Sequence, residues 1–99
     1  MIFIQWTKGA FADLETPPQT IAFRVVRNTD YLSEFPEMGT RMKRRHRRFK
    51  NLRQIVVGRY WRVIYDFDET EEIIFVLRIQ NCRQKLPTTQ ELERRRKDL

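Results

Sequence analysis

Ninety-nine residues, 33% of them charged and with a net charge of +7, describe one basic domain, 1–99, with room for a single modest core. The lone cysteine, Cys82, rules out an internal disulfide and a cysteine-built metal cluster. No apolar run nears the roughly 20 residues that cross a membrane, and the start MIFIQW is too short and lacks the basic residues of a signal peptide; the chain is expected in the cytoplasm, without membrane contact.

Residues 2–6, IFIQW, are apolar at almost every position and predict a short strand covered on both faces. In Lys8–Glu15, Ala10, Phe11 and Leu14 fall at helical spacing. Pro17 and Pro18 stop that helix. Thr16 then reads as the N-cap of a second helix, with Pro17 at the first helical position and Gln19 three residues after the cap. Ile21, Ala22, Val25, Val26, Thr29, Leu32 and Phe35 form its apolar stripe, a core face rather than a ligand site. Pro36 and Gly39 end it. The net charge over residues 1–40 is −2.

The balance then inverts. Residues 41–65 carry +10 without one acid, and seven of the ten positions in RMKRRHRRFK, 41–50, are Lys or Arg. The basic loop 41–51 makes a local field that favours phosphate or an acidic protein. Arg44, Arg45, Arg47, Arg48 and Lys50 are its candidate contacts. A solvated loop that serves solubility is the bland alternative.

A strand meander, 52–80, follows: LRQIVV, RYWRVIYDF and IIFVLRI, parted by Gly58 and by the acidic DETEE of 68–72. Alternation sets Trp61, Val63, Tyr65 and Phe67 on one face and Tyr60, Arg62, Ile64 and Asp66 on the other. In the last strand, Ile73, Phe75, Leu77 and Ile79 oppose Ile74, Val76, Arg78 and Gln80. Pairing Phe67 with Ile73 joins the two aliphatic and aromatic faces into a core, and sets Arg62 directly opposite Arg78. Like charges so placed repel. That register suggests a negative group on the same face, Asp66, another side chain or an external phosphate; the bland alternative is that the two long side chains snorkel apart.

NCRQKL leaves the sheet, and Pro87 and Thr88 open a helix over 88–98. Thr88 and Glu91 make a capping box, and Arg94–Lys97 sit at the end where the helix dipole favours cations. Only Leu92 and Leu99 are apolar there, so weak docking is expected. The whole order is α+β: a small antiparallel-rich sheet of about four strands, two N-terminal helices on one face and a weakly docked C-terminal helix.

The chain has no glycine-rich phosphate loop, HExxH, CxxC or GxSxG, and nothing in it calls for a cofactor or metal. What remains is cationic chemistry. Arg and Lys on a sheet, with Tyr60 or Trp61 to stack a base, suit RNA. They could also stabilise a phosphodiester cleaved in line by its own 2′-hydroxyl, without a metal. Such an endoribonuclease still needs a general base and acid, for which the chain offers His46, Lys85 or a glutamate. Docking of an acidic protein on the same charge is the competing reading.

The meander LRQIVVGRYWRVIYDFDETEEIIFVLRIQNCR resembles the RelE/ParE family of toxins from type II toxin–antitoxin pairs. IQWTKGAFADLE is similar to that family's opening strand and helix, and YLSEFPEMGTRM to the end of its second helix. The resemblance covers about residues 2–85. It implies a small sheet with two N-terminal helices and a cognate acidic antitoxin that blocks the toxin. One branch of the family cleaves mRNA on the ribosome, and the other inhibits DNA gyrase. Resemblance to the cleaving branch implies catalytic roles for Arg62 and Arg83, helped on the RNA by Lys50 and Arg53, with Arg78 and Lys85 near by. The chain departs from the pattern in its short first helix, in Trp61 standing between Tyr60 and Arg62, and in lacking the tyrosine or histidine usual after the last strand. Mechanistically this leaves three readings: mRNA cleavage, gyrase inhibition, or an inactive relative that only binds its antitoxin.

Overall fold

The computed structural model describes residues 1–42, 49 and 51–99. Five strands form one sheet in the order β1-β5-β4-β3-β2: β1 (Phe3–Trp6), β2 (Thr40–Arg41), β3 (Leu52–Val57), β4 (Trp61–Asp68) and β5 (Ile73–Asn81). β1 runs parallel to β5, and every other pair is antiparallel. The α+β, antiparallel-rich architecture is as expected. The fifth strand is the two-residue β2, too short for any periodicity to announce it.

Between β1 and β2, α1 (Lys8–Asp13) and α2 (Gln19–Asp30) carry the chain from one edge of the sheet to the other across a single face. Their Ala10 and Val25, with Leu32 after them, join Ile55, Val57, Val63, Tyr65, Phe67, Ile74, Val76 and Ile79 in the main core. The Thr7 hydroxyl starts α1: it accepts from the Ala10 N–H and donates to the Val76 carbonyl, which ties the helix to β5.

Two local expectations fail. Thr16 does not cap α2. Its hydroxyl donates to the Asp13 carbonyl at the exit of α1, and α2 begins after Pro18. The proline preceding the helix has no N–H needing a cap, and the Pro18 carbonyl already accepts the Ala22 N–H. β1, expected to be covered on both faces, lies at the sheet edge and leaves Phe3 63% exposed.

α3 (Thr89–Lys97) lies against the opposite face. Thr88 caps it as expected, its hydroxyl accepting from the Glu91 N–H. Leu92, fully buried with Leu52, Ile64, Phe75 and Leu77, is its one apolar anchor. Arginines supply the rest. The Arg95 guanidinium donates to the Asp13 carboxylate at 2.8 Å and to the Leu77 carbonyl at 3.1 Å, and Arg96 lies over the Phe75 ring.

The register differs from the expected one, with consequences for every face assignment. Phe67 pairs with Ile74 and Asp68 with Ile73, a shift of one residue. Such a slip moves a strand's side chains to the other face. Ile74 and Val76 therefore join Tyr65 and Phe67 in the main core, while Phe75 and Leu77 lie under α3. A bulge follows: Tyr65 pairs with Val76 but Ile64 with Arg78, so Leu77 is the extra residue. The bulge restores Ile79 to the main core. Asp13 accepts the Ile79 N–H, and Arg95 donates to the Leu77 carbonyl, so side chains satisfy the backbone groups at the irregularity.

Candidate nucleic-acid interface

The α3 side of the sheet changes character along its length. Near the β4–β5 turn it is apolar and covered by α3. Toward the other end it is built from Gln54 on β3, Arg62 on β4, and Arg78 and Gln80 on β5. Arg62 pairs with Val56 on one side and Gln80 on the other. It does not stand opposite Arg78: the shift and the bulge make the two arginines diagonal neighbours, with Gln80 directly across from Arg62. The repulsion inferred from a direct pairing is thereby relieved by geometry.

Arg62 is held firmly. Its guanidinium donates to the Gln54 side-chain carbonyl at 3.0 Å and to the Cys82 backbone carbonyl at 3.1 Å. Its Nε, and the Nε of Arg78, are buried without an acceptor among the described residues. So is Oε1 of Gln80, a residue only 1% exposed. The amide nitrogen of Gln80 is spent on the turn after β5, where it donates to the carbonyls of Gln84 and Lys85. That turn is further stitched by Asn81, whose side chain accepts from the Arg83 N–H, and by Gln84, whose side chain accepts from the Asn81 N–H. Arg83 itself is exposed and extends over the Tyr60 ring, 5.8 Å from its centroid. Arg62, Arg83 and Lys85 are thus brought to one end of the sheet, Lys85 exposed on the turn.

Arg53 is placed elsewhere. On β3 it alternates with Gln54 and faces the helix side, where it donates to the Glu37 carboxylate at 2.7 Å, to the Gly39 carbonyl at 2.7 Å and to Asn51. These contacts bind the 36–39 loop to the sheet, together with the Tyr65 hydroxyl, which donates to the Pro36 carbonyl and accepts from the Gly39 N–H. Burial pushes the Tyr65 phenol above its usual range. Arg44, Arg45, Arg47, Arg48 and Lys50, with His46, lie outside the described residues.

Asp66 sits under the α3 end of the same face, 5% exposed, with the Asn51 N–H as hydrogen-bond donor. Desolvation by burial pushes its carboxyl up to about 6, against the smaller opposing effects of the Asn51 hydrogen bond and the Arg96 charge. Being close to the apolar cluster, it is no counter-ion to Arg62. No group of three or more metal-ligating side chains occurs among the described residues. Sequence reasoning missed Gln54 and the structural role of Gln80. A glutamine at an alternate strand position reads as a solvent-facing residue unless its cross-strand partner is known.

The family model described as the ParE toxin of the type II toxin–antitoxin system parDE matches residues 4–86. Comparison with curated proteins finds no match. Among solved structures, the RelBE2 toxin–antitoxin complex from Mycobacterium tuberculosis is similar, with 22% identity, a TM-score of 0.65, and 81% of this chain and 96% of that one covered. The archaeal RelE–RelB complex from Pyrococcus horikoshii gives 18%, 0.69, 85% and 98%. The isolated E. coli RelE toxin gives 13%, 0.70, 95% and 98%. At these identities the structural likenesses show a shared fold.

Proposed function

The chain belongs to the ParE toxin family of type II toxin–antitoxin systems, and from that premise we propose that it arrests growth by holding a phosphodiester on the arginine face of its sheet, with ribosome-bound mRNA as substrate. The observation that carries this reading is the placing of Arg62 and Arg78 as diagonal neighbours on one face, each with a buried Nε that has no acceptor among the described residues. A buried donor left unpaired costs roughly 1–3 kcal/mol, and two guanidinium groups on one face concentrate positive charge there, which suits an anion. A scissile phosphate gathers negative charge as the neighbouring 2′-hydroxyl attacks, and a guanidinium already fixed by Gln54 and Cys82 stabilises that charge with little reorganisation. Arg83 over Tyr60 adds a cation and an aromatic surface at the same end. His46 or Lys85 would serve in proton transfer.

A second reading, inhibition of DNA gyrase by protein binding, is favoured by the ParE family match and by the groups bonded to Arg62. Gln54 and the Cys82 carbonyl are hydrogen-bond acceptors, not acids or bases. In either case the partner is an acidic antitoxin, drawn to the basic surface by charge. A complex whose affinity does not fall with salt would contradict the electrostatic part.

Induction of the chain in cells, with translation and plasmid supercoiling followed separately, tests the choice. Translation stops first, with mRNA cut on the ribosome, and Arg62→Gln restores it. Intact mRNA with loss of supercoiling would establish the gyrase reading. Unchanged growth would leave antitoxin binding as the sole function.

A further inference from the structure

We infer that the outer side of α2 is a self-association surface, on which two copies of this chain pair their α2 helices antiparallel about a two-fold axis near Asn28. The inference stands apart from the target and from the chemistry at Arg62.

Val25 and Thr29 bury the inner side of α2. The outer side carries apolar side chains that the chain leaves open. Phe23 is 69% exposed, and Tyr31, on the 3-10 turn Tyr31–Ser33 that prolongs the helix, is 51% exposed. With Val26, Arg24, Arg27 and Asp30 they line a groove of about 550 Å³. Tyr31 also borders a cavity with Met38, and Met38 borders another with Phe35, so the apolar surface runs on past the helix end. Apolar surface gathered in one patch marks an interaction site. Aromatic residues, methionine and arginine are the types enriched where proteins meet.

Charge selects a second copy as the occupant. Arg24 and Arg27 lie before the middle of this surface, Asp30 and Glu34 after it, and all four are exposed. None of them forms an ion pair among the described residues. A row that is positive at one end and negative at the other is complementary to itself reversed. Reversal about an axis near Asn28 sets Arg27 of each copy against Asp30 of the other, Arg24 against Glu34, and Val26 against Tyr31. Each contact then occurs twice, as a two-fold interface requires.

The helix dipole favours the same arrangement. Asp30 ends α2 and Glu34 follows it, at the terminus where the dipole disfavours acids. α3 has the favourable pattern, with Glu91 in its first turn and Arg94–Lys97 in its last. An antiparallel partner brings the positive half of its own α2 to that acidic end and relieves the conflict. The net charge of +7 opposes self-association. Residues 1–40, however, carry −2, and the long basic run begins after them. A uniformly acidic ligand would be repelled by Asp30 and Glu34, and a uniformly basic one by the arginines. Because α2 covers the face opposite α3, the arginine face of each copy stays open in the pair.

The test is sedimentation equilibrium of the full chain. The mass rises with concentration from 12.2 kDa to twice that value, with a dissociation constant on the order of 10 µM. Arg27→Asp and Asp30→Arg each weaken self-association about tenfold, a difference of about 1.4 kcal/mol, because each sets like charges across the axis twice. An equimolar mixture of the two variants associates again, since the mixed pair brings opposite charges together at both contacts. Misfolding of either variant could not produce that recovery, and circular dichroism checks that the helices persist. Val26→Ser weakens association, and Arg62→Gln leaves it unchanged. A chain that stays monomeric up to about 1 mM, or a mixture no more associated than its two components, would overturn the proposal.

Discussion

The two faces of the sheet are built on different terms. The helix-covered face joins β-branched and aromatic side chains from three strands to Ala10, Val25 and Leu32, and its polar atoms are used: the Tyr65 hydroxyl both donates and accepts. The opposite face is apolar where Leu92 covers it, and farther along it holds two arginines and a glutamine with buried atoms that no group among the described residues satisfies. The first arrangement lowers the free energy of the fold through burial. The second raises it locally, which a small domain tolerates where a ligand makes up the difference. The contrast separates a face built for stability from one that gives some of it up, and substitutions can break it.

The largest effect on stability is expected at the junction of the two halves of the α3 face. Leu92→Ala removes the only fully buried apolar side chain of α3 and is expected to cost roughly 3 kcal/mol, read from the urea midpoint. A loss below about 1 kcal/mol would mean that the Arg95 and Arg96 contacts hold α3 without it.

Asp66 gives an effect of similar size with a distinctive pH signature. Its folded-state pKa of about 6 stands above the ordinary carboxylate value of 3.8. The neutral form is therefore the one the fold favours. Its stabilising contribution is fully present below about pH 4, declines as pH rises, and is lost above about pH 6. The change amounts to roughly 3 kcal/mol. Asp66→Asn should flatten this part of the stability profile, and denaturation at pH 5 and 7 compares the two chains directly. An unchanged profile would show that the carboxyl is solvated.

On the closed face, Tyr65→Phe deletes the hydroxyl that joins Pro36 and Gly39 to the sheet. It is expected to cost roughly 1–2 kcal/mol, because a buried Gly39 N–H loses its acceptor. The smallest change in stability belongs to the arginine face. Arg62→Gln should alter the unfolding free energy by less than about 1 kcal/mol, since an orphaned Nε disappears along with two hydrogen bonds, while growth arrest is abolished. If that variant unfolds instead, Arg62 is a structural residue and the division between the faces fails.

Much of this was legible in the chain. The period-2 runs marked β3, β4 and β5, and the Thr88 cap and the charge gradient marked α3. Arg62 and Arg78 stood out as cations within apolar runs. Other features were silent. Thr16 satisfied every local rule for a cap, yet its hydroxyl went to Asp13, already placed by α1. Arg53 belonged to the same basic stretch as Arg62, but alternation and the Glu37 loop took it to the other side of the sheet.

Residue order alone determined which segments become strands and helices, because those periods are local consequences of backbone geometry. Tertiary structure decided which residues meet. Alternation survives a one-residue slip unchanged along a strand, so it cannot select the partner strand's register. The selection came from the turn, with Glu72 in the left-handed region, and from the bulge at Leu77, which depends on Asp13 and Arg95 from opposite ends of the chain. Those distant contacts moved Arg78 off Arg62, set Gln80 between the turn and the sheet, and left the two arginines as diagonal neighbours on one face.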